Sequence, residues 1–223
     1  MQFDHVGIPT GEKKPGEVFV EGTRVWVTDF QRHPYGIEWL RYEADSPVTG
    51  PLRSGPHVAF RVGDVAAAGR GMKTLLAPFD AGPAFVGFYE TDEGAVIELM
   101  QYERAADAPD QRRFEHVGLL APGPMPGEQL VASTRLWRTN WQEHPYRIEW
   151  LRFEAGSPVP AVIRQVPHVA YRTDDIRQAG QGLEVLLEPF DVGPRIVAFF
   201  KTSDGAVVEF IQHKQHGVHS VPA

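Results

Sequence analysis

The sequence predicts an α+β chain built from paired βαβββ-type modules that occur twice in tandem. Three observations carry this. The chain repeats itself at a fixed offset, so that FDHVG at Phe3 returns as FEHVG at Phe114, an offset of 111 residues over a length of 223. Each copy is a series of short runs rich in β-branched and aromatic residues, with one stretch that reads as a helix. A fainter repeat inside each copy pairs a strand carrying His with a later strand carrying Glu.

The duplication needs no gap. TRVW at Thr23 becomes TRLW at Thr134, HPYGIEWLRYE at His33 becomes HPYRIEWLRFE at His144, and PHVAF at Pro56 becomes PHVAY at Pro167. PFDAGP at Pro78 becomes PFDVGP at Pro189, and GAVIEL at Gly94 becomes GAVVEF at Gly205. Two copies this long do not make a solenoid and read as a tandem domain duplication. The seam ERAADAPDQRR (103–113) is polar, contains Pro109 and has no periodicity. The predicted domains are 1–103 and 114–214, with a linker at 104–113 and a flexible tail at 215–223 that holds His216 and His219.

Within a copy, FDHVGI reads as a strand and TGEKKPGEVFVEG as a loop, being too rich in Gly, Pro and charge for a helix. TRVWVTD and IEWLRYE are strands by composition. DSPVTGPLRSGP is a second loop, and PHVAFRV a further strand. DVAAAGRGMKTLL opens on Asp64 as an N-cap and is the one helix expected, weakened by Gly69 and Gly71. AFVGFYET and AVIELMQY close the copy as a hairpin turning at Asp92 to Gly94. The helix is thus expected to be reduced in the first module of each copy.

Composition narrows the function classes. A formal net charge of -7 and the lack of any Lys/Arg run argue against nucleic acid or an anionic membrane as partner. With no cysteine, disulfides, thiolate metal sites and Cys nucleophiles are excluded. No stretch of 18 apolar residues occurs, and MQFDHVGIPT has no leader pattern, so a cytoplasmic protein is expected, as a monomer or homodimer acting on a small molecule.

The chemistry concentrates in eight residues: His5, Glu38, His57 and Glu98, then His116, Glu149, His168 and Glu209. Each lies in an apolar strand, where an unpaired carboxylate costs several kcal/mol. Strand alternation sets His5 with Gly7, Glu38 with Leu40, and His57 with Ala59 and Arg61, each opposite bulkier apolar neighbours. The polar set therefore faces the concave side of a sheet. Two imidazoles and two carboxylates can surround a divalent cation and leave positions for water or a substrate oxygen. Without thiolates, nickel, cobalt, zinc, manganese or iron at an open site is favoured over a closed structural zinc. A lone His or Glu in a strand is more often structural, and Arg24, Arg41 and Arg61 are available as ion-pair partners. The matched set of four, seen twice, outweighs that reading.

On DHVGI with His5, GIEWL with Glu38, PHVAF with His57 and AVIELM with Glu98, and on the same set in the second copy, the chain resembles the vicinal oxygen chelate superfamily of glyoxalases, bleomycin-resistance proteins and extradiol dioxygenases. The resemblance spans nearly the whole chain and is strongest to the metal sites of glyoxalase I and methylmalonyl-CoA epimerase. It implies mixed sheets curled around a cleft, with each site built inside one copy or from exchanged modules. The His-Glu-His-Glu order is similar to bacterial glyoxalase I, whereas only 33 residues separate His5 from Glu38, with no helix between them. The activity implied is that of a metal-dependent isomerase, epimerase or lyase, abstracting a proton next to a metal-bound oxygen of a small metabolite with Glu38, Glu98, Glu149 or Glu209 as base. The alternatives are a binding protein that sequesters an antibiotic or similar ligand without chemistry, and an Fe(II) extradiol-type dioxygenase.

For substrate contacts the sequence offers Arg61 and Arg172, which share strand parity with His57 and His168, and Arg24, Trp26, Arg135 and Trp137, which share one parity among themselves. Val27 becomes Arg138 on the other parity. His33 and His144 precede strands and read as turn residues. Tyr42, Tyr89 and Tyr102 give way to Phe153, Phe200 and His213, so the two sites are expected to differ.

Overall fold

The computed structural model describes residues 1–103 and 113–214. The stretch 104–112, which holds most of the expected linker, and the tail from 215 lie outside the described residues. Two compact units result, one from each copy.

The first unit contains β1 (Gln2–Pro9), β2 (Val18–Val20), β3 (Val25–Val27), β4 (Ile37–Tyr42), α1 (Pro51–Ser54), β5 (His57–Arg61), α2 (Val65–Ala68), β6 (Lys73–Asp80), β7 (Ala84–Glu90) and β8 (Val96–Tyr102). Its strands form one mixed sheet in the order β2-β3-β4-β1-β5-β8-β7-β6, curled into a half-barrel. The order is that of two four-stranded halves, each running first, fourth, third, second, joined where β1 and β5 pair antiparallel. In each half the first strand pairs parallel with the fourth, β1 with β4 and β5 with β8.

The second unit repeats this plan. It contains β9 (Phe114–Leu120), β10 (Gln129–Val131), β11 (Leu136–Arg138), β12 (Ile148–Phe153), β13 (His168–Arg172), α3 (Ile176–Ala179), β14 (Glu184–Asp191), β15 (Arg195–Lys201) and β16 (Val207–His213). Its sheet order is β10-β11-β12-β9-β13-β16-β15-β14.

Helix is scarcer than the sequence suggests, and in the second module too. The stretch expected to be helical is a single turn at α2, and its last four residues, from Lys73 onward, open strand β6. Asp64 does cap α2, its side chain accepting from the Ala67 amide at 2.8 Å. Two glycines end the turn. A Cβ on Gly69 would fall 2.2 Å from the Tyr89 ring, and Gly71 has φ +89, which other residues rarely adopt. Two expected loops also contain structure, since VFV forms the short β2 and PLRS the single turn α1.

The central strands are buried on both faces. Val6, Val58, Ile97 and Leu99 on one face are all fully buried, and they fix the register that turns the intervening positions inward. On the inner face Ala59, Ala84, Val86 and Met100 form a small apolar cluster with Phe30, Phe88 and Tyr102 packed against it.

Candidate metal centre

The pairing register places seven of the eight candidate residues in rows across the sheets, and His5 lies in the bulge between Phe3 and Val6. In the second unit Glu149, Gly118 and His168 lie opposite one another on β12, β9 and β13, and His116, Ala170 and Glu209 do so on β9, β13 and β16. The first unit has the row Glu38, Gly7, His57, with Glu98 opposite Ala59. Each row carries a small residue between two long polar ones, so inward curvature lets the long side chains meet above it. The space is tight. A Cβ on Gly7 would sit 2.0 Å from Cε1 of His57, and one on Gly118 would sit 2.0 Å from Cε1 of His168.

The side chains converge in each unit, and both sites are built within one copy. In the first, Nε2 of His5 and Nε2 of His57 lie 3.3 Å apart, and each lies 3.2 Å from Oε2 of Glu98. Glu38 stands slightly farther off, its Oε2 at 3.7 Å from His5 and 3.8 Å from His57. In the second, His116 lies 3.3 Å from Glu209 and 3.5 Å from Glu149, while His168 lies 3.2 Å from Glu209. His5, Glu38 and His57, and likewise His116, Glu149 and His168, form groups that could hold a metal ion.

The donor set fits a divalent cation. Ligand atoms about 2.0–2.1 Å from a shared centre stand roughly 3–3.5 Å apart, close to the spacings of the two imidazoles and Glu98. The Nε2 atoms of His116 and His168 are buried and make no well-formed hydrogen bond, a costly state unless something accepts their lone pairs. Aromatic rings fix the imidazoles. Phe30 stacks on His5 with centroids 3.9 Å apart, and Phe88 meets His57 edge-on at 5.4 Å. Trp141 and Phe199 take these places against His116 and His168.

The electrostatics are those of coupled cation and anion positions. Burial alone would depress the His5 pKa, but Asp4 and then Glu98 outweigh it and raise it to about 10. His116, also opposed by burial, is raised to about 9 by Glu149 and Glu209. Burial works to raise Glu98 and Glu209, yet the facing imidazoles hold both at about 2. Glu38 and Glu149 diverge. Burial dominates at Glu38 and raises it, whereas at Glu149 the pull of His116 and Arg138 overcomes burial and lowers it. Behind this, Glu149 stands closer to its imidazole, 3.5 Å from His116 against 3.7 Å between Glu38 and His5, and Val27 in one copy is Arg138 in the other. Arg138 Nη1 donates to Oε1 of Glu149 at 2.7 Å.

A second difference lies behind the first histidine. Asp4 is fully buried and accepts from His5 Nδ1 at 2.9 Å, from Tyr102 Oη at 3.2 Å and from Arg61. That hydrogen bond fixes the ring so that Nε2 of His5 is aimed at the site. In the second unit Glu115 replaces Asp4 and pairs with Arg172 at 2.7 Å, and Nδ1 of His116 has no hydrogen-bond partner among the described residues.

The residues expected to contact substrate are engaged by acidic partners. Arg61 and Arg172 hold Asp4 and Glu115. Arg24 donates to Asp45 at 2.6 Å, Arg135 pairs with Glu154 at 3.6 Å, and the indoles of Trp26 and Trp137 donate to Glu43 and Glu154 at 2.7 and 2.9 Å. His33 is a turn residue whose Nδ1 accepts from the Tyr35 amide at 3.1 Å, as His144 accepts from Tyr146. In the second unit a cavity of about 440 Å³ opens over His116, Glu149, His168 and Glu209, and its lining includes none of Arg135, Trp137 and Arg172. Leu136 and Arg138 line it instead, which turns the intervening Trp137 to the other face. Arg138, Trp141 and Arg195 are the polar and aromatic groups that sequence reasoning missed there. Their signal was available, because the first copy has Val27, Phe30 and Ala84 at those positions.

No family model matches the chain, and no curated protein matches it in sequence. Solved structures do. 2,2',3-Trihydroxybiphenyl 1,2-dioxygenase from Sphingomonas wittichii strain RW1 superposes with a TM-score of 0.50 at 12% identity, over 96% of this chain and 91% of that one. The 2,3-dioxygenase LapB from Pseudomonas sp. KL28 gives 0.47 at 13% identity, over 99% and 95%. The Mn(II)-bound glyoxalase from Novosphingobium aromaticivorans gives 0.45 at 14% identity, over 95% and 81%. With its two curled mixed sheets of eight strands, the chain has the duplicated fold of the vicinal oxygen chelate superfamily.

Proposed function

We propose that the protein is a metal-dependent isomerase, epimerase or lyase that moves a proton beside a carbonyl or hydroxyl oxygen of a small metabolite. The observation that carries this reading is the convergence of His5, His57, Glu98 and Glu38 at separations of 3.2 to 3.8 Å. His5, His57 and Glu98 would hold the cation, with His116, His168 and Glu209 as their counterparts. The cation would supply Lewis acidity toward the substrate oxygen and acidify the adjacent C–H.

Glu38 suits the role of base in the first unit. It stands farthest from the imidazoles, its side chain is the most exposed of the four at 16%, and burial raises its pKa. A carboxylate so placed can take a proton from substrate carbon and return it to a neighbouring carbon or to the opposite face. In the test, Glu38→Gln keeps its metal but no longer exchanges substrate C–H for solvent deuterium, scored by NMR over a panel of α-hydroxyketones and 2-hydroxyacids. Glu98→Gln loses metal and exchange together. Retention of both by Glu98→Gln would end this reading.

A second reading has its own support in the second unit. Arg138 occupies one oxygen of Glu149, which leaves His116, His168 and Glu209 as a two-His, one-carboxylate set suited to Fe(II) and dioxygen. Oxygen uptake with catechols by the Fe(II)-loaded protein, lost in Glu209→Gln, would favour it over proton transfer.

A further inference from the structure

We propose that the second unit's cavity binds an apolar molecule ending in a carboxylate or phosphate, held at that end by the guanidinium of Arg195. The inference deepens the reading of the cavity floor as a metal site, on which it rests for the ligand's direction though not for its capture.

The walls are mainly apolar, with Leu136, Leu151, Phe153, Ile163, Val197 and Ile211 among them. Three charged side chains stand on those walls: Arg138, Asp191 and Arg195. Two are already answered, Arg138 by Glu149 and Asp191 by Lys214. Arg195 is not. No carboxylate among the described residues pairs with it, and its Nε is buried without a hydrogen-bond partner. A buried donor left unmade costs free energy, and a cation on an apolar wall costs more.

The guanidinium is also held in place. It lies at the margin of the Trp141 ring, 5.9 Å from the centroid, which Arg147 approaches more closely at 4.6 Å, and Trp141 stacks on His116 with centroids 5.1 Å apart. One aromatic ring thus touches both this cation and the proposed metal ligand His116. A planar guanidinium fixed this way presents its remaining N–H groups as a fork, the geometry that carboxylates and phosphates accept in pairs. The first unit has the same fold but carries Ala84 and Phe30 at the positions of Arg195 and Trp141, so the device belongs to the second copy alone. The cavity's volume of about 440 Å³ suits a ligand of metabolite size.

The test measures octanoate, octyl phosphate and octanol binding to the full-length, metal-loaded protein by calorimetry. The wild type should bind at least one of the two anions roughly tenfold or more tighter than octanol, and the tighter anion identifies the head group. Arg195→Ala should bring that anion down to the affinity of octanol and leave octanol unchanged. Arg195→Gln keeps the length and part of the hydrogen bonding without the charge, and should lose the anion preference as well. Anion affinity unchanged in both variants overturns the proposal, including the case in which the carboxylate sits on the metal. Metal content measured on the same samples separates the two readings. Loss of anion preference with no metal bound by any sample would sink the metal reading and leave this one standing, and metal retained with anion preference intact would do the reverse.

Discussion

Arg138 donates to Glu149 across 2.7 Å in the second unit, and the residue that stands in its place in the first is Val27. The two sites, alike in their four candidate residues, therefore differ by one cation at bonding distance from the carboxylate that stands beside the proposed ligands. Glu149 shares its charge with that guanidinium, whereas the cationic groups facing Glu38 among the described residues are the imidazoles of His5 and His57.

Divalent metal should accordingly bind the first unit more tightly than the second. Arg138→Val should strengthen the second site by roughly tenfold, a modest figure because Arg138 is about 43% exposed and its pairing is screened. Competition against a chromophoric chelator measures this. An unchanged second affinity would show that the pair does not draw on the metal site.

Gly7→Ala should empty the first site without unfolding the chain. The added methyl would lie 2.0 Å from the His57 imidazole, which has to swing out. Overpacking of this kind costs about 1–3 kcal/mol. Metal content should fall by one ion per chain with the circular dichroism spectrum kept. Gly118→Ala should do the same to the second site.

Metal uptake should release protons. In the metal-free protein His5 titrates at about 10 and His116 at about 9, so both carry a proton at neutral pH that a cation must displace. Calorimetric titration at pH 7 in buffers of different ionisation enthalpy should give close to one proton released per site. A slope of zero would mean that the imidazoles already stand neutral.

The metal-free fold should have a stability window. Glu98, lowered from 4.5 to about 2, contributes stability that is present above pH 4.5 and lost as pH falls toward 2. His5, raised from 6.5 to about 10, contributes stability that is complete below pH 6.5 and lost as pH rises through 10. Thermal melts in the presence of EDTA should therefore peak between about pH 4.5 and 6.5 and decline on the alkaline side. Added metal should remove that alkaline decline, since the cation then replaces the proton. A metal-free Tm that rises from pH 6.5 to 9 would contradict the assignment.

The duplication, the strand-rich modules and the eight-residue set were legible because they are periodic. An offset of 111 residues and a two-residue alternation survive translation into structure. The shortness of α2 was not, because its stop depends on Gly69 approaching the ring of Tyr89, twenty residues away in the chain. Nor was the role of Asp4. A bulge between Phe3 and Val6 breaks the alternation there, so two adjacent residues, Asp4 and His5, both bury and bond to each other. Parity set Arg61 on the same face as His57 but could not show that Asp4 was waiting for it. In the second unit the sequence weighed Arg135 and Trp137 for the substrate and set Arg138 aside on the opposite face, and it is Arg138 that lines the cavity. Alternation says which residues share a face, and only the curl of the sheet says which face is concave.

The central claim is that each copy builds its own metal site from its own four residues. Metal analysis of the full-length protein after reconstitution, beside His5→Ala/His57→Ala and His116→Ala/His168→Ala, tests it most directly. The account predicts two ions per chain for the wild type and one for each double variant. No metal in the wild type, or the loss of both ions from either variant, would contradict it.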